Sequence, residues 1–219
     1  MRRLGLIAIA VLGPLLFAPS ASAVHPKTVD FIAGFEGYYA EPYNDPAGHC
    51  TIGYGHLIHY GGCTRKDFRK WGSLSEAEAR QLLRQDLRSY EGAVREKIGS
   101  TRVTRPMMTA LTSFTFNLGP GMLDRYRSPY LKRTTNVAGK LRNLNYLGAA
   151  RDMRIYDGVV SGGKRVVLAG LTRRRNEEFK LMKQGIRRLK KCGTSCTVGP
   201  GSAVPATPAP DNTGGVPVQ

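Results

Sequence analysis

The sequence predicts an α+β fold, mostly helical, with a small β-containing part near the N-terminus. Three observations carry that prediction. Long segments repeat their apolar residues at helical spacing. Residues 38–59 are instead rich in Tyr, Gly, Thr and Ile and are broken by turn signals. With 41% hydrophobic and 22% charged residues over 219 positions, the chain can bury a core, which excludes a largely disordered protein. No internal run approaches the ~20 apolar residues of a bilayer span, which excludes a polytopic membrane protein.

The elements follow in order. A first helix runs from about Lys27 to Phe35, with Val29, Ile32 and Phe35 on one side. Tyr38 to His59 reads as a short sheet or hairpin, with turns at Asn44-Asp45-Pro46 and Ala47-Gly48. Ser73 with Glu76 and Ser75 with Glu78 form overlapping capping boxes. The long helix after them sets Leu83, Leu87, Tyr90, Val94 and Ile98 on one face. Pro106 opens a helix over Met107–Leu118, with Met108, Leu111, Thr115 and Leu118 on one face and Gly119 as its stop. Shorter helical patterns cover Pro129–Arg133, Val137–Leu141 and Tyr146–Tyr156, and Ser161-Gly162-Gly163 is a loop. A last basic helix spans Leu171–Lys190 and turns Phe179 and Met182 inward. No repeat of 20–50 residues is visible.

Both ends differ from this body. Met1-Arg2-Arg3, the apolar run Leu4–Ala18 and the small-residue end Ala21-Ser22-Ala23 have the pattern of a secretory signal peptide. Cleavage after Ala23 leaves Val24 first and makes the protein secreted; an uncleaved anchor on the outer membrane face is the alternative. Residues 192–219 hold five Gly and five Pro, no aromatic residue and a single charge, Asp211, the composition of a flexible tail. The organisation is therefore a leader (1–23), one domain (24–191) and a tail (192–219).

The balance of 33 Lys+Arg to 16 Asp+Glu gives +17. Leaving out the leader's two arginines and the tail's one acid puts +16 on residues 24–191. Such a charge calls for an anionic partner. For an exported protein, a bacterial wall with its carboxylates and polyanionic polymers fits better than nucleic acid. In an oxidising compartment four cysteines form two disulfides, with three connectivities open. Local pairing, Cys50–Cys63 and Cys192–Cys196, is the expectation. C-x3-C with a distant C-x12-C is poor zinc spacing, so no metal site is expected.

The chemistry concentrates in Phe35-Glu36-Gly37, Tyr43 to Gly48, and Thr51-Ile52-Gly53-Tyr54-Gly55-His56. Glu36 falls at the end of the first helix and Asp45 in a turn, and two carboxylates on different elements can face each other across a cleft. Glycosidic cleavage needs such a pair, one protonated and one ionised. Glu36 lies among Phe35, Tyr38 and Tyr39, apolar company that favours the acid form, whereas a polar turn keeps Asp45 ionised. The Thr51 hydroxyl lies close enough in sequence to orient a water beside Asp45. Each residue alone reads as an ordinary surface, turn or strand residue. The spacing of Glu, eight residues, Asp, five residues, Thr, then G-x-G-H is what singles them out.

This arrangement resembles the phage-type lysozymes of glycoside hydrolase family 24. The likeness runs from about Thr28 to Lys183. It also takes in Gln85-Asp86, Ala110-Leu111, Phe116-Asn117-Leu118-Gly119 and Gly170-Leu171-Thr172-Arg173-Arg174-Arg175-Asn176-Glu177. The resemblance implies a lysozyme-like fold, with a small β-containing N-terminal lobe, a larger helical lobe and a cleft between them. It implies Glu36 as general acid, Asp45 as general base and Thr51 as the residue that positions water. His56, Phe116 and Asn117 match cleft-facing, substrate-binding positions, and an arginine among Arg173–Arg175 pairs with Glu36. The implied reaction is hydrolysis of the β-1,4 bond between N-acetylmuramic acid and N-acetylglucosamine of peptidoglycan, with inversion, by a monomer without cofactor. Cys50, the irregular stretch Pro120–Tyr130 and the tail depart from the family pattern. Other readings are a cationic protein that disrupts membranes through its last helix, a wall-binding module and a lytic transglycosylase. A weak contact with anionic membrane also fits as an accessory activity.

Overall fold

The computed structural model describes residues 24–128 and 133–198. The expected leader, most of the expected helical stretch Pro129–Arg133 and the tail beyond residue 198 lie outside the described residues.

Helix α1 (Pro26–Ala33) opens on Pro26 behind His25, whose Nδ1 accepts the Lys27 N–H at 3.2 Å. It stops at Gly34, short of the expected Phe35. An antiparallel meander follows: β1 (Tyr39–Asn44), β2 (Cys50–Gly53) and β3 (His56–His59), in the order β1-β2-β3. Tyr43 pairs with Thr51, and Thr51 with Leu57. The β2–β3 turn needs positive φ at Gly53 (+68°) and Gly55 (+87°), which glycine adopts without strain. Cys50 is bonded to Cys63, so β2 is stapled to the chain leading into α2 (Arg65–Trp71).

The sequence reading left α2 out. Its start is fixed by Asp67, whose Oδ2 accepts the N–H and the hydroxyl of Thr64, both at 2.7 Å. His59 Nε2 lies 3.0 Å from the same oxygen. Cys50, His59 and Asp67 bring ligand-type atoms within 4.8 Å of one another, but the sulfur is committed to the disulfide.

Helix α3 (Glu76–Ile98) begins at the Ser75–Glu78 box, with the Ser75 N–H donated to Glu78 at 2.8 Å. The competing Ser73–Glu76 box does not close it, because Glu76 accepts from the Tyr54 hydroxyl (2.9 Å) and from Arg80. The stripe Leu83, Leu87, Tyr90, Val94 and Ile98 is buried, as its spacing required. At about 35 Å long, α3 joins two apolar clusters. One holds Val29, Ile32, Tyr54, Ala79, Leu83 and Leu87 beside the sheet. The other holds Val94, Ile98, Met108, Leu111, Phe114, Leu141 and Met153 in the helical part.

After β4 (Val103–Thr104) comes α4 (Arg105–Leu118). The expected one-sided burial is corrected here: Pro106 to Thr115 are buried on every side, while Leu118 is only partly buried. The reason is packing, since α1, α3 and α7 (Ala169–Cys192) all contact α4. A helix surrounded in this way is the centre of a bundle rather than a surface element. Two of its buried hydroxyls are paired, Thr109 with Thr28 (2.7 Å) and Thr115 with the Leu111 carbonyl (2.8 Å), while that of Thr112 has no partner among the described residues.

A short 3-10 turn, Pro120–Leu123, leads to the hairpin β5 (Arg125–Ser128) and β6 (Arg133–Asn136). Arg133 is thus a strand residue, not the end of a helix. Helices α5 (Val137–Arg142) and α6 (Tyr146–Arg154) start on Asn136 and Asn145, whose side chains accept the N–H groups of Gly139 and Gly148. The expected loop at Ser161-Gly162-Gly163 is the tip of a further hairpin, β7 (Gly158–Ser161) and β8 (Lys164–Val167). Helix α7 then packs on α4 and α6, with Met182 buried and Phe179 partly buried. Beyond it, Cys192 is bonded to Cys196 across a 3-10 turn (Gly193–Cys196), and β9 (Thr197–Val198) pairs with β4. Residues 193–198, inside the stretch read as tail, therefore lie against the domain. Among the described residues no helix is long and apolar enough to cross a membrane.

Candidate active site

Glu36 sits three residues past α1, where the continuing turn donates its N–H to the Ile32 carbonyl at 3.3 Å. Its Oε1 accepts Nη1 of Arg174, from α7, at 2.5 Å. The rest of the Arg174 guanidinium is pinned from α4: Nε to Ser113 Oγ and Nη2 to the Ser113 carbonyl, both at 3.1 Å. The rings of Phe35 and Phe116 lie 5.4 and 6.0 Å from it. The three consecutive arginines divide their tasks. Arg173 lies over Phe35 (5.3 Å), Arg174 holds Glu36, and Arg175 turns inward to Glu178 at 2.8 Å. With Arg174 and Arg175 at 3% and 1% exposure, the run is not a solvated face.

The company expected for Glu36 is corrected. Tyr38 and Tyr39 are exposed. Tyr38 leans on Tyr54 and donates its hydroxyl to the Leu74 carbonyl, while Tyr39 stacks on Tyr43 at 3.9 Å. A buried cation, not an apolar wall, faces the carboxylate.

Asp45 is held by its own turn. Its Oδ1 accepts the N–H groups of Ala47 (2.9 Å) and His49 (2.8 Å), and its N–H donates to the His49 carbonyl at 2.9 Å. This is the Asx-type closure that Asp favours. Oδ2 takes part in neither bond. Thr51 is buried on β2 and donates its hydroxyl to the His49 carbonyl at 3.1 Å. The hydroxyl has one proton, spent on that carbonyl, so Thr51 meets a water as an acceptor. His49 thus links both residues. It is braced in turn by Gly61, whose N–H donates to its Nδ1 at 3.2 Å, and by the edge of Tyr60 at 5.0 Å.

Two tyrosines tie the sides together. Burial first, then Tyr39, Asp45 and Glu36, push the Tyr43 hydroxyl up to about 12. Tyr90 is also pushed up to about 12, by burial and then by Asp86, Tyr60 and Glu36. Both carboxylates therefore act on Tyr43, while Glu36 also acts on Tyr90. Of the expected cleft residues, Phe116 lies edge-on to Tyr90 at 5.1 Å. His56 has its Nδ1 3.0 Å from Asp86 of α3 and its ring tilted on Trp71 at 5.4 Å. Asn117 follows Phe116 in sequence, with its Oδ1 enclosed and without a hydrogen-bond partner among the described residues. The sequence pattern places Tyr43 in the informative segment without a role, and gives no signal for His49, Ser113 or Glu178.

A cavity of about 590 Å³ beside α7 and the end of α6 is lined by Arg154, Thr172, Arg173, Asn176, Phe179 and Lys180 among others. Neither carboxylate reaches it, so it is separate from this constellation.

Comparison with known proteins identifies the family. The phage lysozyme family model matches residues 33–178, a span that includes Glu36, Asp45, Thr51, Arg174 and Glu178. The endolysin of Bacillus phage B103 is 32% identical over 159 residues, covering 72% of this chain. The chain spans about half that relative's length, 52%. Among solved structures, the muramidase domain of SpmX from Asticaccaulis excentricus is 27% identical with a TM-score of 0.57, covering 73% of this chain and 96% of that one. An endolysin from Escherichia coli O157:H7 phage FAHEc1 is 29% identical with a TM-score of 0.56, covering 73% and 92%. The chain belongs to the phage lysozyme family.

Proposed function

We propose that this protein is a muramidase that hydrolyses the β-1,4 bond between N-acetylmuramic acid and N-acetylglucosamine of bacterial peptidoglycan. The observation that carries this reading is that two differently held carboxylates both act on Tyr43. Glu36 is fixed by a buried arginine, and Asp45 is locked in a turn with Thr51 beside it. Membership of the phage lysozyme family and likeness to endolysins and a muramidase domain support it.

In this reading Glu36 is the general acid. Arg174 engages one carboxyl oxygen, so the other carries the proton given to the glycosidic oxygen as the bond from C1 breaks. Asp45 is the general base. It takes a proton from a water whose second hydrogen is held by the Thr51 oxygen, and that water attacks C1 from the opposite face. Asp45 then releases its proton to solvent and Glu36 takes one up, which resets both carboxyl groups. Such an inverting reaction uses carboxyl groups roughly 6.5–9.5 Å apart. His56, Phe116 and Asn117 belong to the sugar-binding cleft wall.

The leader directs export with cleavage after Ala23, and the +16 body captures the anionic wall by charge. Two disulfides suit that oxidising compartment. Membrane disruption by α7 fits less well, because that helix buries Leu171, Arg174, Arg175, Glu178 and Met182 in the fold.

Mass spectrometry of the muropeptides released by the purified protein tests the reaction class. Reducing N-acetylmuramic acid ends are expected. Anhydro-muramyl ends would make it a transglycosylase, and no soluble product would remove the enzyme reading.

A further inference from the structure

Behind Glu36 lies a buried ionic group that touches no substrate in the mechanism above. Glu178 is fully buried, with Arg175 and Arg174 nearly so. Glu178 Oε1 accepts the Ser113 hydroxyl at 2.7 Å and Arg175 Nη2 at 2.8 Å, and lies 3.5 Å from Arg174 Nε. The Ser113 hydroxyl is thereby polarised. Its proton points to Glu178 and its lone pair to Arg174 Nε. Arg174 is left with Nη1 to present to Glu36.

Stability does not account for this group. Glu178 Oε2 and Arg175 Nε and Nη1 are buried without hydrogen-bond partners among the described residues. Buried ion pairs often do no better than well-packed apolar residues of similar volume. Burial itself opposes both charges, pushing Glu178 up and Arg175 down to about 10.

The charge count gives the group a purpose. With Glu36 ionised, two carboxylates balance two arginines. With Glu36 protonated, Glu178 alone offsets the arginine pair. Without Glu178, two uncompensated cations would sit behind the acid and hold it ionised.

We propose that Glu178 and Ser113 are positioning residues for the general acid, aiming Arg174 at Glu36 while sharing out its charge so that Glu36 can carry its proton. This rests on Glu36 being the acid. The other groups around the Glu36–Arg174 pair are Tyr43 of β1 and Tyr90 of α3, on which Glu36 acts, Phe116 of α4 beside Arg174 and, over Phe35, Arg173 of α7; Asp45 acts on the same Tyr43. Arg175 also feels Asp157.

The test is the pH–rate profile of Glu178→Gln. A general acid sets the alkaline limb and a general base the acidic limb. Loss of a negative charge behind Arg174 favours ionised Glu36, so the alkaline limb should move to lower pH by about one unit. The acidic limb, set by Asp45, should stay, and kcat should fall more than KM changes. Glu178→Gln leaves Arg175 buried and unpaired, so folding is guarded by the double variant Arg175→Met/Glu178→Gln, which removes one charge of each sign. Its alkaline limb should return towards the wild-type position. An alkaline limb that stays put in both variants, whatever the loss of rate or stability, overturns the proposal. If Glu36→Gln keeps wild-type activity, the acid assignment itself fails; if it is inactive and the limb is unmoved, only the positioning role fails.

Discussion

Asp45 and Thr51 are held by partners two to four residues away, whereas Glu36 is held by an arginine 138 residues further along the chain. The two sides of the site are thus built by opposite means. The β side is local: an Asx turn, a strand pair and a disulfide spanning thirteen residues. The helical side exists only once α4 and α7 have packed and set Ser113, Arg174 and Glu178 together. A base that stays ionised needs little more than a polar, rigid turn. An acid that must keep and give a proton needs a neighbouring charge of controlled strength, and only a buried site keeps water from screening it. Loss of the Asp45 charge on the first side should cost activity alone. Damage to the second should cost activity and stability together.

The largest combined effect is expected for Arg174→Met. It leaves Glu178 buried beside a single arginine, and breaking a buried pair in this way costs roughly 3–5 kcal/mol. Denaturant unfolding should show that loss along with a fall in wall lysis. Asp45→Asn should match it in rate but not in stability. Its Oδ1 still accepts from Ala47 and His49, so the turn survives, while loss of the base costs about 10²–10⁴-fold in turnover. Equal destabilisation by both variants would dissolve the contrast between the two sides.

The same contrast decides what could be read from the sequence. Asp45 and Thr51 were legible because their geometry is written within seven residues. The stripe Leu83–Ile98 was legible because α3 buries one face only. Arg173–Arg175 pointed to Glu36, but choosing among them required the rotation of α7 against α4. The all-round burial of α4 was hidden for the same reason, since its polar residues Thr112 and Ser113 look solvent-facing in sequence. Two elements gave too weak a signal. Helix α2 has few apolar residues, with Phe68 exposed, and the β7–β8 hairpin leaves Val160, Val166 and Val167 exposed, so neither shows a one-sided pattern.

Smaller effects sharpen the picture of the β side. Replacing Cys50 and Cys63 together by Ala should destabilise by about 3 kcal/mol in the chain-entropy model. Amide exchange should rise first in residues 44–63, because Asn44 accepts the Cys63 N–H (2.7 Å) and Cys50 donates to the Gly61 carbonyl (2.8 Å). The smallest expected effect is a pH dependence confined to α2. Hydrogen bonds from Thr64, then from His59, hold the Asp67 carboxyl well below the usual carboxylate range. Its contribution is present above about pH 4 and is lost as pH falls through the lowered value. His59 is raised by Asp67 and the Tyr60 carbonyl, so its contribution is present below about pH 6.5 and is lost as pH rises through the raised value. Protection of α2 amides should peak between those limits, and flat protection from pH 3 to 9 would separate the cap from the pair.

The central claim is that Glu36, aimed by Arg174, supplies the proton that breaks the glycosidic bond. Its most direct test is the release of reducing sugar from purified peptidoglycan by Glu36→Gln, with circular dichroism as the check on folding. A folded variant with its rate reduced about 10²-fold or more is predicted. A folded variant that releases reducing sugar at the wild-type rate would contradict it.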